Sequence, residues 1–268
     1  MDTKSRYINS GQRWASVQHE YDKPEITANK NAIAVKIFDS IFETLFKKNF
    51  TSIMVKNKEN YYLRNTDYAN LFYGYHGCWW DGPLGIYLCR KLYKSNFYMM
   101  IKDLYRFPVL SRIGGFSIEK DSLHGKLKAV NYTVKLLQNP ENTVWIFPQG
   151  RLYPNDYRPI KFESGIYHIC NKIKRVNLIP VAYKYAFLQN EKPDIFVEIG
   201  KPKIIEKEIE DRREFLENLQ KDFEKLLDNQ RKEVLDEKLN GYKCILHNKT
   251  TWLMKFEKNF KHLVRKRY

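Results

Sequence analysis

The sequence has no closely spaced pair of cysteines. Cys78, Cys89, Cys170 and Cys244 are scattered along 268 residues. That spacing argues against a zinc site and against a disulfide framework, so no metal is expected, and a reducing, cytoplasmic setting is the simplest expectation. No run of eighteen apolar residues occurs, so no membrane-spanning helix is expected. The opening residues, MDTKSRYINSGQRW, lack the apolar core of a signal peptide. Internal repeats and low-complexity segments are also missing. Acidic residues are in the minority, 31 against 47 Lys and Arg, for a formal charge of +16. Such a charge suits nucleic acid, anionic lipid or a polyanionic substrate and does not choose among them.

What is present points to a folded enzyme-sized unit. An apolar fraction of 43% with 15% aromatics is too rich for a disordered chain, and the length suits one α/β domain better than two small ones. Strand-like segments at 51–55, 97–101, 143–147, 178–183 and 194–199 alternate with helical stretches at 83–94, 121–138 and 161–174. That alternation predicts a mostly parallel mixed sheet flanked by helices.

Two terminal segments are amphipathic. Residues 31–46 place Ile33, Ile37, Phe38, Ile41, Phe42 and Leu45 on one helical face, which either packs on the core or faces a membrane. Residues 207–239 read as a long charged helix with Phe215, Leu219, Phe223, Leu226, Leu227 and Val234 as its stripe and Gly241 as its stop. Near the end, Trp252, Phe256, Phe260, Leu263 and Val264 recur among lysines and arginines. That pattern fits either a helix lying in an anionic bilayer surface or one docked on the domain.

Three blocks carry candidate chemistry. In the first, YGYHGCWWDGP, His76 and Asp81 are five positions apart. A continuous helix would set them about 140° apart and a strand would point them to opposite faces, so contact needs a bend. Gly77 and Gly82-Pro83 supply one, placing His76 on a loop and Asp81 at the mouth of a helix. A neutral imidazole oriented by a carboxylate is a general base for a hydroxyl near neutral pH. The second block is RIGGFSIEKD, a glycine pair leading into a short strand that ends at Lys120. In the third, WIFPQGRLYPNDYRPIKFESG, an apolar strand runs to Pro148, Gly150 lies at its carboxyl edge, and Arg151, Arg158 and Lys161 follow.

In order, these blocks resemble the lysophosphatidic acid acyltransferase family of glycerolipid acyltransferases. That family carries His-x4-Asp, then Gly-x-x-Phe-Ile-x-Arg, then Phe-Pro-Glu-Gly-Thr-Arg, then a Val-Pro-Val-like strand. Here they read His76-Gly-Cys-Trp-Trp-Asp81, Gly114-Gly-Phe-Ser-Ile-Glu-Lys120, Phe147-Pro-Gln-Gly-Arg151 and Leu178-Ile-Pro-Val181. The resemblance covers roughly residues 70–200. It implies a glycerolipid-acyltransferase-like single domain over 31–205, after an irregular lead-in at 1–30 and with a helical extension at 206–268 packed on it.

It also implies direct transfer of a fatty acyl group from acyl-CoA or acyl carrier protein to a hydroxyl of a lysophospholipid or other lipid alcohol. His76 and Asp81 would be catalytic. Gly114, Phe116, Ser117, Lys120, Phe147, Pro148, Gln149, Gly150 and Arg151 would bind substrate, and no cofactor would be needed. Backbone N–H groups near Gly77 or at the Gly150 turn would hold the oxyanion. The chain departs from the pattern at Ser117, Lys120, Gln149 and Arg151-Leu152, where the family holds the acceptor's phosphate. A lysolipid without a phosphomonoester, or a glycolipid-like alcohol, therefore stays open as acceptor.

The expected partner is an anionic membrane surface, met from the cytoplasmic side by a peripheral or monotopic protein, with no nucleic acid. The alternative is a non-catalytic basic protein binding lipid or nucleic acid, supported by the charge and nineteen tyrosines.

Overall fold

The computed structural model describes residues 25–248. The basic segment at 252–267 and most of the lead-in lie outside these described residues.

Among the described residues, nine strands form one sheet: β1 (Ser52–Lys56), β2 (Asn70–Gly74), β3 (Asn96–Lys102), β4 (Gly115–Ile118), β5 (Asn142–Ile146), β6 (Val176–Ala186), β7 (Asp194–Ile199), β8 (Lys203–Ile205) and β9 (Lys243–His247). Their order is β4-β3-β5-β2-β6-β7-β1-β9, with β8 paired to β6. The pairs β3–β4, β3–β5, β2–β5, β2–β6 and β1–β7 are parallel, while β6–β7, β6–β8 and β1–β9 are antiparallel. The sheet is thus the mixed, mostly parallel one expected. The helices are α1 (Ala32–Asn49), α2 (Asp81–Tyr87), α3 (Leu123–Leu137), α4 (Gly165–Ile173) and α5 (Arg212–Leu235).

Side-chain alternation along the strands divides the core into two layers. Phe72, Trp145, Ile179 and Val181 join α1 and α2 on one face. Leu71, Tyr73, Val144, Ile146 and Leu178 join α3, α4 and α5 on the other. Where a strand is buried on both faces its sequence is a continuous apolar run. This is why β2, Asn-Leu-Phe-Tyr-Gly, escapes a search for β-branched alternation: all five of its residues are buried between β5 and β6.

Two helices depart from the expected course, and a third shows which of its residues meet the core. The helix after Gly82-Pro83 widens into a π-helical turn over Leu88–Leu92. The helix expected over 207–239 runs Arg212–Leu235, because Glu237 adopts a positive φ and the chain turns back to pair β9 with β1. On α1, Phe42 and Phe46 are buried and Phe38 and Leu45 pack against them, but Ile33, Ile37 and Ile41 remain 69%, 52% and 43% exposed.

One contact fixes α2 on the sheet. Trp145, fully buried and stacked on Phe72 with ring centroids 5.6 Å apart, lies under Gly85. A Cβ at Gly85 would come within 2.9 Å of the indole. Mid-helix Gly→Ala usually stabilises by up to about 1 kcal/mol. Here the sign is expected to reverse, with Gly85→Ala costing about 1–3 kcal/mol through overpacking. Urea denaturation of the two proteins checks it, and a more stable Ala variant would show that α2 can lift from Trp145 freely.

Candidate active site

Strand register assembles the site. β2 and β5 are parallel neighbours with Tyr73 opposite Ile146, so the loops leaving their carboxyl ends, 75–80 and 147–151, emerge side by side. β3 and β4 end at the same edge, with Lys102 opposite Ile118. Ligands of α/β sheets bind at this carboxyl edge. A groove of about 620 Å³ lies there, within the size range of small-molecule sites. Met100, Ile118, Leu127, Val130, Ile146 and Ile166 make it apolar, and Lys102, Lys120, Lys126 and Arg151 add positive charge.

His76 lines this groove from its loop, and Asp81 begins α2. Nδ1 of His76 is 3.1 Å from Oδ2 of Asp81. The imidazole stacks on Phe147 at 4.2 Å, nearly parallel, and its side chain is 26% exposed. Since Nδ1 is engaged, Nε2 is the nitrogen left for a substrate hydroxyl. Both backbone polar groups of His76 are tied to the third block. Its N–H donates to Oε1 of Gln149 at 2.6 Å, and its carbonyl accepts from the N–H of Tyr153 at 2.9 Å.

Asp81 is fully buried, and a buried carboxylate must be surrounded by donors. Oδ2 accepts from the N–H groups of Gly77 at 2.7 Å and Cys78 at 2.8 Å as well as from His76. Oδ1 accepts from the Tyr185 hydroxyl at 2.8 Å and the Cys78 thiol at 3.3 Å. The bend in the loop is thus drawn around the carboxylate. Gly77 keeps an ordinary negative φ. It is needed because the Asn155 side chain occupies the place a Cβ would take.

The sequence-derived residues separate into two groups. Lys120, Phe147, Pro148, Gly150 and Arg151 line the groove with His76, and Gln149 is buried behind them. Gly114, Phe116 and Ser117 do not line it. Gly114 has φ +104° and presses on the Phe97 carbonyl, Phe116 is core packed on Tyr132, and the Ser117 hydroxyl accepts from the N–H of Ile26. Arg158 and Lys161 also lie elsewhere, Arg158 paired to Asp228 at 2.6 Å.

The expected oxyanion donors are already engaged. Gly77 and Cys78 donate to Asp81, and the Gly150 N–H closes a turn onto the Phe147 carbonyl at 3.0 Å. Sequence reasoning missed Tyr185, which is 104 residues from Asp81 and carries no local signal, and Lys102 at the end of β3. Burial, then the neighbouring Asp81 and Cys78, pushes the Tyr185 phenol well above its ordinary value, so it stays a donor. Burial, then the neighbouring Lys102, lowers the Lys120 ammonium. The cations grouped along the groove, Lys102, Lys120, Lys126 and Arg151, outnumber its one carboxylate, Glu163, and suit an anion.

Cys78 sits inside the His76–Asp81 loop, yet burial and the Asp81 carboxylate push its thiol up to about 11. At pH 8 about a thousandth of it is thiolate. Iodoacetamide at pH 8 is therefore expected to alkylate exposed Cys244 at least about tenfold faster than Cys78, read by peptide mass spectrometry. Faster reaction at Cys78 would restore it as a candidate nucleophile.

The profile of a family described as Acyltransferase matches residues 52–184, a span holding every residue that lines the groove from β2 to α4. No curated protein matches the chain. Among solved structures, the fold is similar to the crystal structure of the 1-acyl-sn-glycerophosphate (LPA) acyltransferase PlsC from Thermotoga maritima. The TM-score is 0.54 at 16% identity, over 75% of this chain and 79% of that one. Residues 52–184 thus form an acyltransferase-family domain, with a fold around them similar to that of a glycerolipid acyltransferase.

Proposed function

We propose that the protein transfers a fatty acyl group from a thioester carrier, acyl-CoA or acyl carrier protein, to the hydroxyl of an anionic lysolipid or related lipid alcohol. The observation that carries this reading is the buried-carboxylate imidazole opening onto an apolar groove with cations beside it. Nε2 of His76 removes the proton of the acceptor hydroxyl, and the oxygen attacks the thioester carbonyl. The tetrahedral adduct collapses by breaking the C–S bond, and the thiolate takes the proton back from the imidazolium. Asp81 holds the proton of Nδ1 in place and balances the imidazolium that forms. The apolar wall takes an acyl chain. Lys102, Lys120, Lys126 and Arg151 take the acceptor's anionic head group. Lys120 stands where the family has arginine, and Lys102 adds a second ammonium beside it, so charge is retained without a bidentate fork.

A second exposed surface, across the sheet from α3 and α4, suggests how the lipid is reached. No helix among the described residues is long and apolar enough to cross a membrane. The exposed face of α1, Ile33, Ile37 and Ile41, adjoins the helical turn carrying exposed Phe107 and Val109, since Asn29 and Asn31 pair with Ser111 and Arg112. At the other end of α1, Phe46 and Phe50 pack on Trp80, whose neighbour Trp79 is exposed three residues from His76. Apolar side chains bordered by lysines suit a peripheral contact with the anionic cytoplasmic leaflet.

Labelled acyl-CoA and acyl carrier protein, offered with phosphorylated and unphosphorylated lysolipids, test the chemistry. Wild type is expected to form product, and His76→Ala to lose at least about a hundredfold in kcat. Lys120→Met is expected to raise KM for phosphorylated acceptors above all. Equal turnover by His76→Ala would remove the mechanism. No product from folded wild type would leave a lipid-binding protein. In vesicle sedimentation, Ile37→Asp is expected to weaken binding to anionic vesicles at low salt. Unchanged binding would move the membrane contact away from α1.

A further inference from the structure

The segment after the third block, residues 151–163, is not a strand, yet part of its backbone is buried. Ile160 and Phe162 are buried, and Phe162 packs on Phe223 of α5 with ring centroids 5.8 Å apart. Buried backbone N–H groups require acceptors, and among the described residues no strand pairs with this segment to provide them. Side chains of α5 provide them instead. The Phe162 N–H donates to Oε1 of Gln220 at 2.6 Å, and the Ile160 N–H donates to Oε1 of Glu224. Arg158 pairs with Asp228 at 2.6 Å, and Asp156, held by Lys184 of β6 at 2.6 Å, also lies 3.7 Å from Arg231.

The contacts take every second residue of the segment, 156, 158, 160 and 162, and one residue per turn of α5, 231, 228, 224 and 220. The intervals on α5 are three, four and four residues, about 4.5–6 Å each, while the segment itself turns at Pro154–Tyr157 with Asp156 at φ +70°. Side chains of a helix thus take the place of a neighbouring strand as acceptors for the buried backbone.

The near end of the same segment grips the active-site loop. The Tyr153 N–H donates to the His76 carbonyl, the Tyr75 hydroxyl donates to the Pro154 carbonyl at 2.6 Å, and Asn155 fills the space above Gly77. α5 itself lies outside the residues 52–184 that the acyltransferase profile matches.

We propose that α5 is a positioning element of the active site, in which Gln220 and Glu224 hold residues 156–162 in register and thereby hold His76 through Tyr153. Its catalytic half rests on the acyl-transfer reading, and its structural half does not. None of these α5 residues touches the groove, so they act through the segment. Displacing a catalytic base by about 1 Å can cost a hundredfold in rate. The ladder thus gives the helix leverage on turnover while leaving the acceptor's binding groups in place.

The test uses the full chain with Gln220→Ala and Glu224→Ala, beside the acceptor-preserving Gln220→Glu and Glu224→Gln. Amide exchange at Tyr153 needs no substrate, and kcat and KM for acyl transfer are measured in parallel. The Ala variants are expected to exchange Tyr153 at least tenfold faster and to lose at least tenfold in kcat, with KM for the acceptor within threefold. The Glu and Gln variants are expected to stay near wild type in both. Folded Ala variants with wild-type protection and turnover would overturn the proposal, as would equal losses in the acceptor-preserving pair. If an Ala variant does not fold, Asp228→Ala on the exposed rung is read by the same two measures: faster Tyr153 exchange with lower kcat supports the ladder, and no change in either overturns it. Wild type without transfer, but with Tyr153 protection that depends on Gln220 and Glu224, would remove the acyl-transfer reading while upholding the ladder.

Discussion

The site depends on burying one carboxylate without leaving it short of donors. Asp81 has no exposure to water, so each of its oxygens needs a partner supplied by the fold. Four come from its own loop, which must bend back to deliver them, and that bend is what brings His76 into contact. A fifth, Tyr185, arrives from β6 and makes the loop answerable to the centre of the sheet. The Gly85–Trp145 contact serves the same end by fixing the helix that Asp81 begins. General-base geometry and tertiary packing are therefore one arrangement here, because the charge that orients the imidazole also organises the loop that carries it.

The groove then divides labour between two kinds of wall. Apolar residues of β3, β4, β5, α3 and α4 form one part, while ammonium and guanidinium groups gather where β3 and β4 end and where the third block turns. An amphiphile with an anionic head fits such a division, and its reacting hydroxyl would fall near the boundary, where His76 stands. Stacking on Phe147 holds the imidazole at that boundary.

Much of this was legible in the sequence, for identifiable reasons. Strand–helix alternation gave the architecture, and the glycines and proline around His76-x4-Asp81 marked the loop and the helix mouth. β2 was hidden because a doubly buried strand does not alternate, and β9 because its pairing with β1 is nonlocal. Tyr185 and Lys102 were invisible for the same reason, since only sheet register brings them to the site. The Gly77, Cys78 and Gly150 N–H groups were legible as donors but not as donors already taken. Gly114, Phe116 and Ser117 belong to a motif whose residues serve the scaffold as well as the groove. Ser117 illustrates this by holding Ile26 of the lead-in. On α1 the apolar periodicity was read correctly, but its stripe is wider than the core it meets, and periodicity does not show where contact stops.

The pairing of Tyr73 with Ile146 has a further consequence for how such a chain can change length. His76 lies three residues beyond its rung of the ladder and Gln149 three beyond the facing one. An inserted or deleted residue on either side would turn alternate side chains to the other face of the sheet and part the His76 N–H from Gln149. Connections that leave this edge unregistered, such as the turn between β6 and β7, face no such restriction. Variation in length across related chains should collect in those connections and avoid both three-residue intervals, which act as a fixed gauge set by parallel pairing.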